Sequence, residues 1–423
     1  MPENYFSLPA TLLTFEAIQR QEQGDPLPET PVKSWADFER LSQGVSADEP
    51  DDLPSIRAQC ALDTLERIPR PVLPVLEERI HGAWLGRAAG CMLGKPLEGM
   101  TAVAIRTYLL AAQAYPLVDY VPWLETPPVP RVVHAPEASR GRFTEAVRDD
   151  DLDYTLLGLH ILEQHGAGFS TIDVADAWLH LLPYGRVYTA ERVVYAHLVQ
   201  QIPPEQTARY RNPYREWIGA LIRADAWAYA NPGDPARAAS WAYRDATLSH
   251  VRNGMYGAMW AAGLISAALC MPANARVPRD LLHIAGQCIP RRSRLALALD
   301  DVLNWFSNTS GNWHMVLEQI DAVYGHYHWV HTIPNALRIA LALLASEGDY
   351  TSGITVAVMC GADTDSNAAT VGSVLGGLQG ANALPSLWTA PLNDRLRSAL
   401  FGMDPCAITE LAQRSVNVAS LQS

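Results

Sequence analysis

The chain is poor in cysteine. Its 423 residues include six, Cys60, Cys91, Cys270, Cys288, Cys360 and Cys406, with no CxxC pair and no zinc-type spacing. That excludes a disulfide scaffold and a zinc finger, and reads as reduced, mostly buried thiols. Charge is also sparse: 18% of residues are Asp, Glu, Lys or Arg, with 45 acidic against 32 basic and a net charge of −13. A basic surface for nucleic acid is thereby excluded, and a hydrophobic content of 48% excludes a wholly disordered chain. Long apolar runs are missing. The longest, Tyr256 to Met271, falls short of the ~20 residues a membrane span needs and reads as a buried core helix, so no membrane association is expected. The start, Met1-Pro-Glu-Asn, has no basic region followed by an apolar one, so no signal peptide is expected and a cytoplasmic location is. There is no GxxxxGK[ST] and no GxGxxG, which removes P-loop and dinucleotide-binding readings. Strand-like alternation is scarce, and no fixed-period repeat is present.

What is present is helical periodicity. From Val75 onward Ala, Leu and Trp recur at i, i+3 and i+4. Candidate helices fall at 76–94, 149–165, 173–182, 188–200, 214–230, 235–246, 250–270, 279–286, 294–307, 312–323, 334–346, 350–359, 366–379 and 392–401, separated by turn signals such as Pro203-Pro204 and Asn231-Pro-Gly. The expected fold is all-α, one large compact multi-helix domain over residues 76–423. Residues 1–75 are Pro-rich and acidic and read as an N-terminal extension, with short helices at Ala10–Gln21 and Pro54–Ile68. Tyr115 to Arg142 is Pro-rich without helical period and reads as a long ordered loop.

Two helices carry a stripe of small residues: Gly82, Gly86, Gly90 and Gly94 in one, Ala368, Gly372, Gly376 and Gly380 in the other. Each glycine costs a helix about 1 kcal/mol relative to alanine, so a row of them needs a packing reason. Arg79, Arg87 and Lys95 interrupt the first segment and exclude a membrane dimer face. The stripes predict two central helices in close backbone contact.

Both stripes lie beside a cluster of carboxylates. Asp149-Asp150-Asp151 precedes the apolar face Leu152, Leu156, Leu159 and Leu162, so it opens a helix. One Asp suffices as a cap; three consecutive carboxylates repel one another and suit a divalent cation. Gly361-Ala-Asp363-Thr-Asp365-Ser366-Asn367 opens the second striped helix. An EF-hand would place Gly and Glu where Ala368 and Val374 stand, so that reading fails. Each motif alone is compatible with a plain helix cap; two together favour a shared metal site.

With these motifs in place, the chain resembles the ADP-ribosylglycohydrolase family. His81-Gly-Ala-Trp-Leu-Gly-Arg-Ala-Ala-Gly-Cys-Met-Leu-Gly-Lys-Pro-Leu-Glu98-Gly is similar to the family's opening glycine-rich helix ending in Gly-x-Pro-x-Glu. Asp149–Asp151 is placed like its Thr-Asp-Asp motif, and Gly361 to Gly372 resembles its Gly-x-Asp-Thr-Asp-Thr/Ser-x-Ala-Ala signature. The likeness spans about 79 to 402. It implies an all-α fold with two Mg²⁺ ions, Mn²⁺ in some members, below an ADP-ribose cleft. The implied metal ligands are Asp149, Asp150, Asp151, Asp363, Asp365 and Ser366. Asp365 or Asp150 is implied as general base, with Glu98 as a second acid/base candidate, and Glu98 and Asp151 face the substrate. Two positions depart from the pattern: Asp149 replaces the family's Thr, and Cys91 replaces an Asp. The added carboxylate predicts tighter metal binding or a different ion, with Arg148 as the compensating charge.

Outside these motifs, His331 and Asn335 sit in a loop, His326-Tyr-His328-Trp-Val-His331, that resembles a family loop contacting ADP-ribose, and both are expected ligand contacts. A histidine metal site there is disfavoured by the hard-oxygen sites elsewhere. His250, in Ser249-His250-Val-Arg252, opens the apolar helix, whose start can hold a phosphate. Trp84, Trp123, Trp260, Trp313 and Trp329 are candidates for stacking adenine. The expected function is metal-dependent hydrolysis of the bond at the anomeric carbon of the distal ribose of an ADP-ribosylated protein or small ADP-ribosyl substrate. The alternatives are a same-fold hydrolase of a nucleoside or other small glycoside, and a non-catalytic ADP-ribose-binding protein.

Overall fold

The computed structural model describes residues 9–29, 32–39, 41, 46–129, 135–272 and 277–421. Among the described residues, fifteen helices of ten residues or more run α1 (Pro9–Gln23), α2 (Leu73–Gly94), α3 (Ala102–Ala111), α4 (Asp150–His165), α5 (Thr171–Leu181), α6 (Thr189–Val199), α7 (Pro235–Ala246), α8 (Arg252–Ala268), α9 (Val277–Gly286), α10 (Arg294–Asn308), α11 (Trp313–Tyr324), α12 (Thr332–Ser346), α13 (Tyr350–Met359), α14 (Thr364–Gln379) and α15 (Ile408–Ser420). Among the described residues the only sheet is a two-stranded antiparallel ribbon, Arg395–Leu396 with Cys406–Ala407. The protein is all-α, as the periodicity predicts. No described helix is long and apolar enough to cross a membrane, and all six cysteines are unpaired.

The centre of the fold is the antiparallel pair α2 and α14. A Cβ built on Gly86 would lie 2.1 Å from the carbonyl oxygen of Gly372, and one on Gly372 would lie 2.1 Å from that of Gly86. The contact repeats along the seam: Gly82 meets Gly376, Gly90 meets Ala368 and Gly94 meets Thr364. Backbone therefore packs on backbone with no room for a side chain. The Tyr350 hydroxyl donates to Gly86 O at 3.0 Å and the Thr364 hydroxyl to Gly94 O at 2.8 Å, fixing the register from the sides. Because the pairing is antiparallel, the C-terminal end of α2 lies at the N-terminal end of α14. Residues 95–98 and 363–366 are thus brought to one place.

Four expectations about elements change. Residues 214–230 are not one helix but a 3-10 turn, Ile218–Arg223, followed by Asp225–Tyr229. The backbone there is bonded elsewhere: Ile218 N donates to Val330 O, and the Thr332 hydroxyl donates to Trp217 O. The expected helix 392–401 does not form: a 3-10 turn ends at Leu392, and Asn393 and Asp394 take left-handed φ of 46° and 55° and lead into the ribbon. The segment Pro54–Ile68 is helical only at Leu53–Arg57, since Ala61 N donates to Gln287 O and the chain leaves the helix to pair with its neighbour. Helices α3 and α15 lie where no candidate was placed; exposed Val103 and Leu110 blur the apolar face of α3.

The N-terminal segment is held against the body by buried charge. Arg215 pairs with Glu16 at 2.6 Å, and Arg294 pairs with Glu49 at 2.9 Å and with Glu216 at 2.7 Å. Phe15 packs edge-on against Trp217 and His328, with centroids 5.3 Å and 5.6 Å away.

Gly86→Ala tests the seam directly. Alanine favours a helix by about 1 kcal/mol at an open position. Here its methyl group meets a carbonyl, and the expected outcome is a net loss of about 2–3 kcal/mol in urea unfolding. A neutral or stabilising effect would contradict backbone-on-backbone packing.

Candidate metal and substrate site

Where α2 ends and α14 and α4 begin, a cavity of about 340 Å³ opens. Its acidic floor is Glu98, Asp149, Asp150, Asp151, Asp363 and Asp365, with Ser366, and its aromatic wall is Tyr188, Trp217 and Trp329. All six expected metal ligands and Glu98 therefore meet in one place. Three chain segments supply them, and each is locked by contacts the sequence specifies.

Arg87, fully buried on α2, ties α4 to the seam. Its guanidinium donates to Asp151 O at 2.8 Å, pairs with the Asp151 carboxylate at 3.2 Å and with Asp225 at 2.7 Å. Asp149 caps α4 by accepting from Asp151 N at 3.0 Å. Asn335 fixes the other motif: its Oδ1 accepts from Asp363 N at 3.1 Å and from Asn367 Nδ2 at 2.9 Å. Gly361 and Ala362, with φ of 74° and 68°, turn the chain so that Gly99 N donates to Ala362 O and Ala362 N donates to Met100 O, each at 2.9 Å. A Cβ on Gly361 would lie 2.7 Å from Met100 O, so glycine is required there. This pairing sets Glu98 beside Asp363.

Two carboxylate triads result. Glu98, Asp363 and Asp365 can bring one oxygen each within 4.8 Å of one another, and so can Asp149, Asp151 and Asp365. Asp365 is shared, and its Oδ1 is buried with no hydrogen-bond donor. The hydroxyl of Ser366 lies 3.0 Å from both Asp151 Oδ2 and Asp363 Oδ1. The electrostatics report negative charge in excess. The Asp365 carboxylate, together with burial, pushes Glu98 well above the ordinary carboxylate range. Burial and neighbouring acids raise Asp151, Asp363 and Asp365 too, and hold Asp150 up to about 7. Burial opposes ionisation of Asp149 as well, but the Lys95 ammonium beside it and Arg148 pull it below the usual value. Crowded oxygen donors, one of them orphaned, fit a hard divalent cation.

Lys95 is the residue that sequence reasoning missed. It forms an ion pair with Asp149, so the direct compensation for Asp149 comes from Lys95. Arg148 lines the cavity but pairs with Asp153 at 2.7 Å. The signal was available, because Lys33 and Lys95 are the only lysines in the chain and Lys95 stands inside the Gly-x-Pro-x-Glu motif.

Three expected ligand contacts lie outside the cavity lining. His331 is buried, and its Nδ1 accepts from Ile333 N at 3.1 Å as the cap of α12; burial lowers it to about 3. Asn335 positions Asp363 from behind. His250 is buried with its Nδ1 2.8 Å from the Ser249 hydroxyl. The helix start beside it is occupied by an acid, since Arg252 N donates to Asp51 Oδ1 at 2.7 Å, which removes the phosphate reading. Of the five tryptophans, only Trp329 lines the cavity; Trp84 and Trp260 are core. Trp217, which was not singled out, forms part of the wall and stacks on His328 at 4.4 Å.

Comparison with known proteins gives two findings. A family model described as ADP-ribosylglycohydrolase matches residues 73–422. A solved structure titled "ADP-ribosylglycohydrolase-related protein complex" is similar in fold, with a TM-score of 0.51 at 18% identity, over 83% of this chain and 100% of that one. A search of curated proteins returned no match.

The crowded acids make a pH prediction for the metal-free protein. An acid whose folded pKa is raised binds its proton more tightly when folded, so stability falls as pH rises through that value. With Asp150 near 7, the protein in EDTA is expected to gain about 1 kcal/mol between pH 8 and pH 6, read as a higher melting temperature. A divalent cation should flatten the dependence. A melting temperature that falls over the same interval would contradict the charge balance described.

Proposed function

The chain belongs to the ADP-ribosylglycohydrolase family and is a glycosidic-bond hydrolase, and from that premise we propose that its cavity cleaves, with a divalent cation, the bond at the anomeric carbon of the distal ribose of ADP-ribosylated substrates. The observation that carries the reading is the convergence of Glu98, Asp363 and Asp365 on one point, with the orphaned Asp365 Oδ1 inside it. Mg²⁺ is the expected ion, with Mn²⁺ as its substitute, because all the donors are hard oxygens. When bound it orients sugar hydroxyls and polarises a water.

The chain's own residues divide the remaining work. Asp365 belongs to both triads and is committed to the cation. Asp150 lies outside both triads, faces the cavity and sits near neutrality. It is the general base, taking the proton of the attacking water as the new carbon–oxygen bond forms. The bond to the leaving atom breaks, and a poor leaving atom requires a proton. Glu98 belongs to the triad that holds the cation and is ionised there, so Asp150, protonated by the water, is the cavity carboxyl that can return it. Tyr188, Trp217 and Trp329 offer flat faces to the sugar and base.

A second reading has its own support. The two cations lining the cavity, Lys95 and Arg148, are each already paired with an aspartate. That suits an uncharged nucleoside or other small glycoside better than a pyrophosphate. The two readings are separated by mass spectrometry of products from arginine- and serine-linked ADP-ribosyl peptides and from nucleosides, with Mg²⁺ or with EDTA. Metal-dependent release of ADP-ribose is the expected result, with Asp150→Asn slowing kcat by at least about 100-fold while metal binding is kept. Cleavage of nucleosides alone would transfer the assignment to the second reading. Turnover undiminished by EDTA would contradict both.

A further inference from the structure

The two triads are not equivalent, and the difference lies in what already holds their oxygens. In the second triad, Asp149 accepts from Asp151 N on Oδ1 and from the Lys95 ammonium on Oδ2. Asp151 pairs with Arg87 through Oδ1 and lies 3.0 Å from the Ser366 hydroxyl through Oδ2. Each of those two carboxylates therefore has a cation of the protein on one oxygen, whereas the single proton of the Ser366 hydroxyl lies equally close to Asp363 Oδ1 of the other triad. In the first triad no described Lys or Arg forms an ion pair with Glu98, Asp363 or Asp365, and Asp365 Oδ1 has no donor at all.

The ammonium is built into this position. The Lys95 side chain is 17% exposed and its partner's 2%. Lys95 follows directly on Gly94, whose Cβ position is blocked by Thr364 O at 2.1 Å, so the seam fixes where the lysine leaves α2. Its partner Asp149 is the same residue that replaces the family's hydroxyl. A divalent ion coordinated by Asp149 would face the ammonium across a shared carboxylate, and like charges at such a distance repel more strongly inside a protein than in water.

We propose that the ammonium of Lys95 stands in for a second metal ion, so that the centre holds one divalent cation, between Glu98, Asp363 and Asp365. This rests on the metal-dependent reading above. Lys95 acts as a positioning residue: it neutralises Asp149 and keeps the α4 cap in place without taking part in the reaction.

The test is Mn²⁺ stoichiometry by equilibrium dialysis, with electron paramagnetic resonance of the bound ion. Wild type is expected to bind one Mn²⁺ per chain with an uncoupled spectrum. Lys95→Met is expected to gain a second Mn²⁺ at least about 100-fold tighter than any second site of wild type, with a spin-coupled spectrum. Two coupled ions in wild type would overturn the proposal without reference to any variant. A folded Lys95→Met that still binds one ion would overturn it as well, by showing that the ammonium does not exclude the second. No bound Mn²⁺ in wild type would instead remove the metal-dependent reading on which the proposal stands.

Discussion

The rest of the structure depends on the contact between two helix backbones. Along α2 and α14 the glycines remove every side chain that would hold the helices apart, and carbonyl oxygens fill the space where Cβ atoms would be. Such a seam has no rotamers to adjust, so its register is rigid. The acidic cavity sits at its end. Lys95 and Glu98 leave one helix just where Asp363, Asp365 and Ser366 enter the other, and Arg87 in the middle of the seam carries the rigidity across to Asp151 on α4. A carboxylate cluster of this density is unfavourable in itself, as the raised pKa values of Glu98, Asp151, Asp363 and Asp365 report. Only a rigid scaffold keeps such groups together against their mutual repulsion.

The remainder of the fold supports this centre from outside. The N-terminal helix α1 presents Phe15 to Trp217 and His328, and Glu22 accepts from His328 N at 2.6 Å. Partly buried Arg294 links Glu49 of the same segment to Glu216, next to Trp217. The aromatic wall of the cavity thus has a backing from a part of the chain that lies before the family match begins at residue 73. Sequence-distant carboxylates of that segment also occupy the start of α8 through Asp51.

Features that follow from local spacing were legible in the sequence; those set by distant partners were not. The glycine stripes announced a backbone contact because a four-residue repeat of small residues has no other use on a helix with interrupting charges. The Asp motifs announced a shared site because each places more carboxylates at a helix start than a cap requires. The turn at 218–223 was hidden, since it arises from hydrogen bonds to residues 330–332. His331 and His250 looked like ligands by residue type and neighbourhood, yet their polar atoms serve caps and burial. Lys95 stood out as one of two lysines, but its partner lies 54 positions away, and only the fold shows that Asp149 points back at it.

The central claim is that the seam delivers Glu98, Asp363 and Asp365 to one cation. Crystals grown with Mn²⁺ and measured at its absorption edge test it most directly. The account predicts a strong anomalous peak within coordination distance of all three carboxylates, with α2 and α14 unmoved. A peak confined to surface acids, with the cavity floor empty, would contradict it.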